Sequence, residues 1–278
     1  MEIEKAAELG FCTGVRRAIE ILEKAAKEFG PLLTLGPVVH NQRVMDRLAQ
    51  FGVKAVEGVD QLEGSTVAVS SHGVSPDLMD KIGARGFRII DTTCPFVRRA
   101  QVAAQRLAEA GFFVIVFGDD NHPEVQGVLG WVKKKGLAAT ELPSFDIVPQ
   151  RIGILSQTTQ SFFSFTKFIC AFADTYLALI SELRVINTIC DATRKRQEAA
   201  LELAKTVDMM LVVGSRWSAN TRRLTEICSA VVETHLIDGA EEIDPVWLRN
   251  DKRIGVTAGA STPDEAIDEV VARLKDAE

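Results

Sequence analysis

Three cysteines occupy matching places in the chain. Cys12 opens CTGVRRAIEILEKAAKEFGPLLTLG, Cys94 opens CPFVRRAQVAAQRLAEAGFFVIVFG and Cys190 opens CDATRKRQEAALELAKTVDMMLVVG; in each, 24 positions separate the cysteine from the closing glycine (12 to 36, 94 to 118, 190 to 214). Each begins a helix-like run, and the positive end of a helix dipole favours a thiolate, hence a nucleophile or a metal ligand. Three core cysteines would have no need to share that register. Three converging thiolates leave one coordination position open, which suits zinc or a cubane iron-sulfur cluster with one iron lacking a protein ligand. The open metal position could act as a Lewis acid toward a substrate oxygen. Cys170 and Cys228 fall inside helical patterns and read as ordinary thiols.

The polar loops carry the second half of the chemistry. His40 stands in GPVVHN, His72 in TVAVSSHGVSP and His122 in GDDNHPE, each after an apolar strand-like run. Their ring N–H groups, with the hydroxyls and amide of Ser218, Asn220 and Ser261, can donate to phosphate oxygens. Glu124 follows Pro123 in NHPEV. Beside a bound anion, desolvation and like-charge repulsion would raise its pKa and let it give a proton near neutral pH. The alternative is a solvated acid in a first helical turn. His235, in VVETHLID, lies outside these loops and reads as structural.

The elements that position these groups repeat three times. After each glycine come a polar loop, a helical pattern, a second strand and a second polar loop, the last being TVAVSSHGVSP, RIGILSQTTQS and RIGVTAGASTP. A third strand then leads back to cysteine in FRIIDTTC and LRVINTIC, but the third unit has no such strand at its own end. Residues 1–12 are the candidate to supply it. Strands alternating with helices predict parallel sheets, whose ligands sit beyond the carboxyl ends of the strands. The expected organisation is α/β, with units at 13–93, 94–189 and 190–278, the last completed by 1–12.

Composition narrows the function classes. The 278 residues are 46% hydrophobic with a formal charge of −6, which fits a globular chain and argues against a general nucleic-acid binder. Any bound polyanion is therefore expected to be small. The start MEIEKAAELGFC lacks the apolar stretch of a secretory signal. FFVIVF (112–117) and FICAFADTYLALI (168–180) read as too short or too interrupted to span a bilayer, so a cytoplasmic, membrane-free protein is expected. Five cysteines without a CxxC pair do not form a disulfide framework.

In order along the chain, GFCTGVRRAI, HNQRVMDRL, SSHGVSP, DTTCPFV, HPEVQGVLG, SQTT, CDATRKRQ and TAGAST closely resemble the 4-hydroxy-3-methylbut-2-enyl diphosphate reductase (LytB/IspH) family. The resemblance implies an α/β trefoil around an oxygen-sensitive 4Fe-4S cluster, and the last step of the methylerythritol phosphate route to isoprenoids. It implies Cys12, Cys94 and Cys190 as cluster ligands. It further implies His40, His72, Ser218, Asn220 and Ser261 as diphosphate binders, with His122 lining the same cavity. Glu124 would deliver protons, with Thr158 and Gln157 completing its hydrogen-bond network. Electrons would come from a ferredoxin or flavodoxin. The chain departs from the family pattern at Trp217-Ser218-Ala219-Asn220, where Asn-Ser-Ser-Asn is usual, and at Arg98-Arg99, where Thr-Lys is usual. It also lacks the usual Leu after the threonines of SQTTQSFF. A paralogue acting on another allylic or aryl alcohol derivative, a cluster-containing regulatory protein and a zinc hydrolase are the competing expectations.

Overall fold

A computed structural model describes residues 2–133, 135–248 and 253–277. Among them are twelve strands: β1 (Glu2–Lys5), β2 (Leu32–Leu35), β3 (Val53–Val56), β4 (Thr66–Val69), β5 (Arg88–Asp91), β6 (Phe113–Phe117), β7 (Gly136–Ala139), β8 (Arg151–Ser156), β9 (Glu182–Ile186), β10 (Met209–Val213), β11 (Glu233–Ile237) and β12 (Arg253–Ala258). The helices are α1 (Thr13–Phe29), α2 (Gln42–Gln50), α3 (Pro76–Ala84), α4 (Pro95–Glu109), α5 (Pro123–Gly130), α6 (Phe162–Tyr176), α7 (Asp191–Ala204), α8 (Ala219–Ser229) and α9 (Asp264–Lys275).

The strands form three four-stranded sheets, ordered β1-β12-β10-β11, β3-β2-β4-β5 and β7-β6-β8-β9, and every pairing is parallel. The α/β expectation therefore holds. Central strands such as MMLVV in β10 are buried along their whole length and read as unbroken apolar runs, as strands covered on both faces must. β1 pairs with β12 from Glu2↔Arg253 to Lys5↔Val256, so the N-terminal strand is the edge of the last sheet.

The sequence pattern did not single out β3, β7 and β11. Each is the edge strand beside β2, β6 or β10 in its sheet. β7 is half-buried throughout, and β3 and β11 each have one buried residue, so they lack the apolar contrast of the central strands.

Chain contacts divide the protein into two units, the first made of 1–16, 39–50 and 191–278 and the second of 17–38 and 51–190. The first holds the sheet β1-β12-β10-β11, whose core joins Met209, Leu211, Val213, Ile254 and Val256 to Ile267, Val270 and Leu274 of α9. The second holds the other two sheets. Its α6 packs Phe165, Phe168 and Phe172 onto Ile115, Phe117, Ile152 and Ile154. The apolar run begins earlier than expected, at Phe162, and Phe162–Leu179 is long and apolar enough by length and composition to cross a membrane. Its three buried phenylalanines show how such a run also serves as a sheet-covering helix.

In each sheet the chain moves from the first central strand to one side, then returns to the other side of that strand. The crevices between β2 and β4, β6 and β8, and β10 and β12 are therefore topological switch points, where α/β sheets bind ligands. Both polar loops of each sequence unit leave from these strands.

Candidate active site

Each repeated cysteine directly precedes a helix: Cys12 before α1, Cys94 as the N-cap of α4, and Cys190 before α7. All three are half-buried free thiols. Within the first unit the Cys12 amide donates to the Ala260 carbonyl at 3.1 Å. Within the second, the Cys94 amide donates to Ser71 at 3.0 Å and the Cys190 amide to Thr158 at 3.1 Å. Ala260, Ser71 and Thr158 lie in the loops after β12, β4 and β8, so each cysteine is clipped to a switch-point loop of its own sheet. A candidate binding residue adjoins each clip: Ser261, His72 and Gln157. Val15 also directs its amide at Cys12 Sγ, 3.4 Å away, as expected where helix N–H groups lack backbone partners.

The second unit places His72, His122, Gln157 and Thr158 in the loops of its two sheets and Glu124 in the first turn of α5. Pro123 starts α5, and His122 caps it by accepting the Glu124 amide on Nδ1 at 3.1 Å. That bond leaves Nε2 to carry the proton of a neutral ring. The His72 and His122 rings meet edge to face with centroids 5.3 Å apart. Glu124 is 2% exposed. Its Oε1 accepts the Thr158 amide at 2.6 Å and its Oε2 the Thr158 hydroxyl at 2.8 Å. Burial raises its pKa from 4.5 to about 7, against the pull of both Thr158 bonds. The carboxyl can thus hold or release a proton at neutral pH, as a general acid must.

Gln157 is spent on the scaffold. Its Oε1 accepts the Asp119 amide at 3.0 Å and its Nε2 donates to Thr159 at 2.9 Å, which fixes the loops after β6 and β8 to one another. A cavity of about 490 Å³ opens at the β2/β4 switch point, bordered by Gly36, Ser70, His72, Pro123 and Gln126. That volume is typical of small-molecule sites.

The first unit places His40, Ser218 and Ser261 in its polar loops and Asn220 in the first turn of α8. Ser218 caps α8, and its hydroxyl accepts the Thr221 amide at 3.4 Å. Asn220 and Ser261 are 3% and 6% exposed, yet Asn220 Nδ2 and Oδ1 and Ser261 Oγ have no hydrogen-bond partner among the described residues. Buried polar groups are rarely left so, and donors without partners at a helix N-terminus are the signature of an anion site. Burial, then the charge of Arg222, holds the His40 pKa below 6.5. Trp217, a departure from the family pattern, is 80% exposed, so its ring lies largely in solvent.

Sequence reasoning missed the groups that brace these loops. Gln101, wholly buried, approaches the Val74 carbonyl at 3.5 Å and accepts from Arg98 at 2.8 Å. Arg98 also bonds Asp91 at 2.6 Å, and Asp91 accepts the Thr93 amide at 2.9 Å beside Cys94. Burial pushes the Asp91 pKa up, but the Thr93 bonds and Arg98 carry it net downward. The departure at Arg98 thus supports both the His72 loop and the approach to Cys94. The sequence marked Arg98 as a departure one turn after the cysteine, but not its partners Asp91 and Gln101.

Parallel sheets that present thiols, unpartnered polar groups and a proton-poised carboxyl at their strand ends define an α/β enzyme. The chain belongs to the LytB protein family, whose sequence model matches residues 3–275. It is 50% identical over 277 residues to a 4-hydroxy-3-methylbut-2-enyl diphosphate reductase of Dehalococcoides mccartyi, covering 99% of this chain and 98% of that one. It is 42% identical over 283 residues to the reductase of Geobacter metallireducens, with 99% and 98% covered. A solved (E)-4-hydroxy-3-methyl-but-2-enyl diphosphate reductase, the terminal enzyme of the non-mevalonate pathway, superimposes with TM-score 0.70 at 38% identity, covering 99% of this chain and 100% of that one. The Plasmodium falciparum E-1-hydroxy-2-methyl-but-2-enyl-4-diphosphate reductase gives 0.90 at 27% identity, covering 98% and 87%. The family is one of iron-sulfur enzymes.

Proposed function

We propose that this chain reduces 4-hydroxy-3-methylbut-2-enyl diphosphate. The allylic C–O bond breaks, two electrons and two protons are taken up, and water leaves with isopentenyl or dimethylallyl diphosphate as product. The near-full-length relatives of that name support the reaction. The structural observation that carries it is the Glu124–Thr158 clamp, a buried carboxyl poised near pH 7.

The donor set fits a cluster, because Cys12, Cys94 and Cys190 each sit at a helix N-terminus with the backbone amide already engaged. A 4Fe-4S cluster held there supplies single electrons, from a ferredoxin or flavodoxin, and a Lewis-acidic iron without a protein ligand. His40, His72, Ser218, Asn220 and Ser261 bind the diphosphate. Its binding energy, remote from the reacting carbon, orients the alcohol. His122 holds the Glu124 backbone and lines the same cavity, Glu124 passes a proton to the leaving oxygen, and Thr158 keeps the carboxyl aimed.

The test is anaerobic turnover of the diphosphate by cluster-reconstituted protein with a chemical one-electron reductant, beside Glu124→Gln. Five-carbon alkenyl diphosphates, lost in the variant, are the expected result. A fully loaded protein that leaves the substrate unchanged would overturn the reading. A second reading, a paralogue reducing another allylic or aryl alcohol derivative, is favoured by Ala219, which is 5% exposed and removes a hydroxyl from the family pattern. Turnover of such an alcohol in place of the diphosphate would select it.

A further inference from the structure

Arg196 is a buried cation with no carboxylate partner among the described residues. It lies on α7, six residues after Cys190, and is 4% exposed. Its Nη1 donates to the Ala192 carbonyl at 3.0 Å and its Nη2 to the Gly10 carbonyl at 2.8 Å, two residues before Cys12. Nε has no partner, and no carboxylate pairs with the guanidinium among the described residues. Asp264, the acid beside Gly10, is engaged by Arg16 at 3.1 Å.

Guanidinium stays charged under all ordinary conditions. Burying it against neutral carbonyls alone costs several kcal/mol, and such sites persist where a partner charge completes them. The surrounding chemistry names that partner. Arg196 is tied to the chain leading into one candidate cluster ligand and follows another in sequence. A cubane cluster bound by thiolates is anionic, and one-electron reduction adds a further negative charge with no change in its ligands.

We propose that Arg196 is the fixed countercharge of the cluster, favouring its reduced state and so setting how readily it accepts an electron from a one-electron donor. Net charge around a cluster is one of the levers that sets its potential. The planar fork of an arginine can meet the Gly10 carbonyl, two residues before Cys12, and keep its charge. This rests on the reading of Cys12, Cys94 and Cys190 as cluster ligands.

The experiment is a dye-mediated, EPR-monitored reductive titration of full-length reconstituted protein, with iron and sulfide counted per chain, for the parent, Arg196→Lys and Arg196→Gln. Arg196→Gln is expected to disfavour reduction about tenfold, a midpoint more negative by about 59 mV. Arg196→Lys, which keeps the charge, should move it less. In parallel, thermal unfolding of cluster-free protein should show Arg196→Gln no less stable than the parent. A loaded Gln variant with an unchanged midpoint overturns the proposal. So does a loss of stability in the cluster-free form, which would mark Arg196 as a structural tie and can be read even if that variant loads poorly. Failure of the parent itself to take up iron and sulfide would overturn the cluster reading and this inference together.

Discussion

Thr158 grips both oxygens of Glu124, by its amide at 2.6 Å and its hydroxyl at 2.8 Å, while its own carbonyl receives the Cys190 amide at 3.1 Å. One residue therefore fixes the proposed proton donor and a candidate cluster ligand. Both grips favour the carboxylate and oppose the burial that lifts Glu124 to about 7. Thr158→Val deletes the hydroxyl grip and keeps the amide. A hydrogen bond to a charged group contributes about 1.5–3 kcal/mol, or roughly one to two pH units. The alkaline limb of kcat should move upward by that amount in Thr158→Val and stay near the parent in Thr158→Ser. A pH–rate profile measured anaerobically would show it, and an unmoved limb would assign that ionisation to another group.

Glu124 also makes stability depend on pH. The folded protein keeps a proton that the unfolded chain, with a pKa of 4.5, gives up. Its contribution is therefore complete below about pH 4.5 and is lost as pH rises through 7. The gap corresponds to roughly 3 kcal/mol. Glu124→Gln removes the ionisation, so relative to the parent it should gain stability across that window and inactivate the enzyme at the same time. Urea unfolding of cluster-free protein at pH 5 and pH 8 measures the difference. A variant whose deficit is the same at both pH values would contradict the buried-acid account.

The unpartnered groups of Asn220 and Ser261 predict an opposite sign for stability and binding. Each is buried without a hydrogen-bond partner among the described residues, so truncation removes a desolvation cost from the ligand-free protein. Asn220→Ala and Ser261→Ala should leave the Tm unchanged or higher. Each should raise the KM for the diphosphate about ten- to hundredfold, the equivalent of about 1.5–3 kcal/mol. Competition by inorganic diphosphate, weakened in parallel, would place the loss on the anion rather than on the alcohol end.

Much of this arrangement was legible because it follows from periodicity. The equal spacing from Cys12 to Gly36, Cys94 to Gly118 and Cys190 to Gly214 marks a helix followed by a central strand, and those glycines do follow β2, β6 and β10. The missing partner at the end of the third unit pointed to the N-terminal strand, which pairs with β12. What pattern could not show is pairing at a distance. The Thr158 grip on Glu124 spans 34 positions, and the Arg196 bond to Gly10 spans 186. Burial raises the Glu124 pKa, and its degree depends on packing that a loop sequence does not encode. Trp217 shows the same limit: the sequence marks it as a departure from the family pattern, and only the fold shows that its ring is 80% exposed.

Gly73 ties the loop of His72 to the chain leading into Cys94. It holds φ at +68°, in the left-handed region, and a Cβ built there would lie 2.4 Å from Gln101 Nε2 and 2.9 Å from Thr93 Cγ2. Neither neighbour can retreat cheaply, since Gln101 is wholly buried in its bond to Arg98, and the Thr93 backbone is fixed by Asp91. Gly73→Ala therefore adds backbone strain to a steric clash, together costing about 2–4 kcal/mol. The clash acts on Gln101 and Thr93 together, so a second change can separate its parts. Thr93→Ser removes the Cγ2 obstacle and keeps the hydroxyl, and in the Gly73→Ala background it should restore part of the lost stability. Denaturant unfolding of the two single variants and the double variant measures that coupling. Simple additivity would show that Gly73 is required for its φ alone and not for the close approach of these two loops.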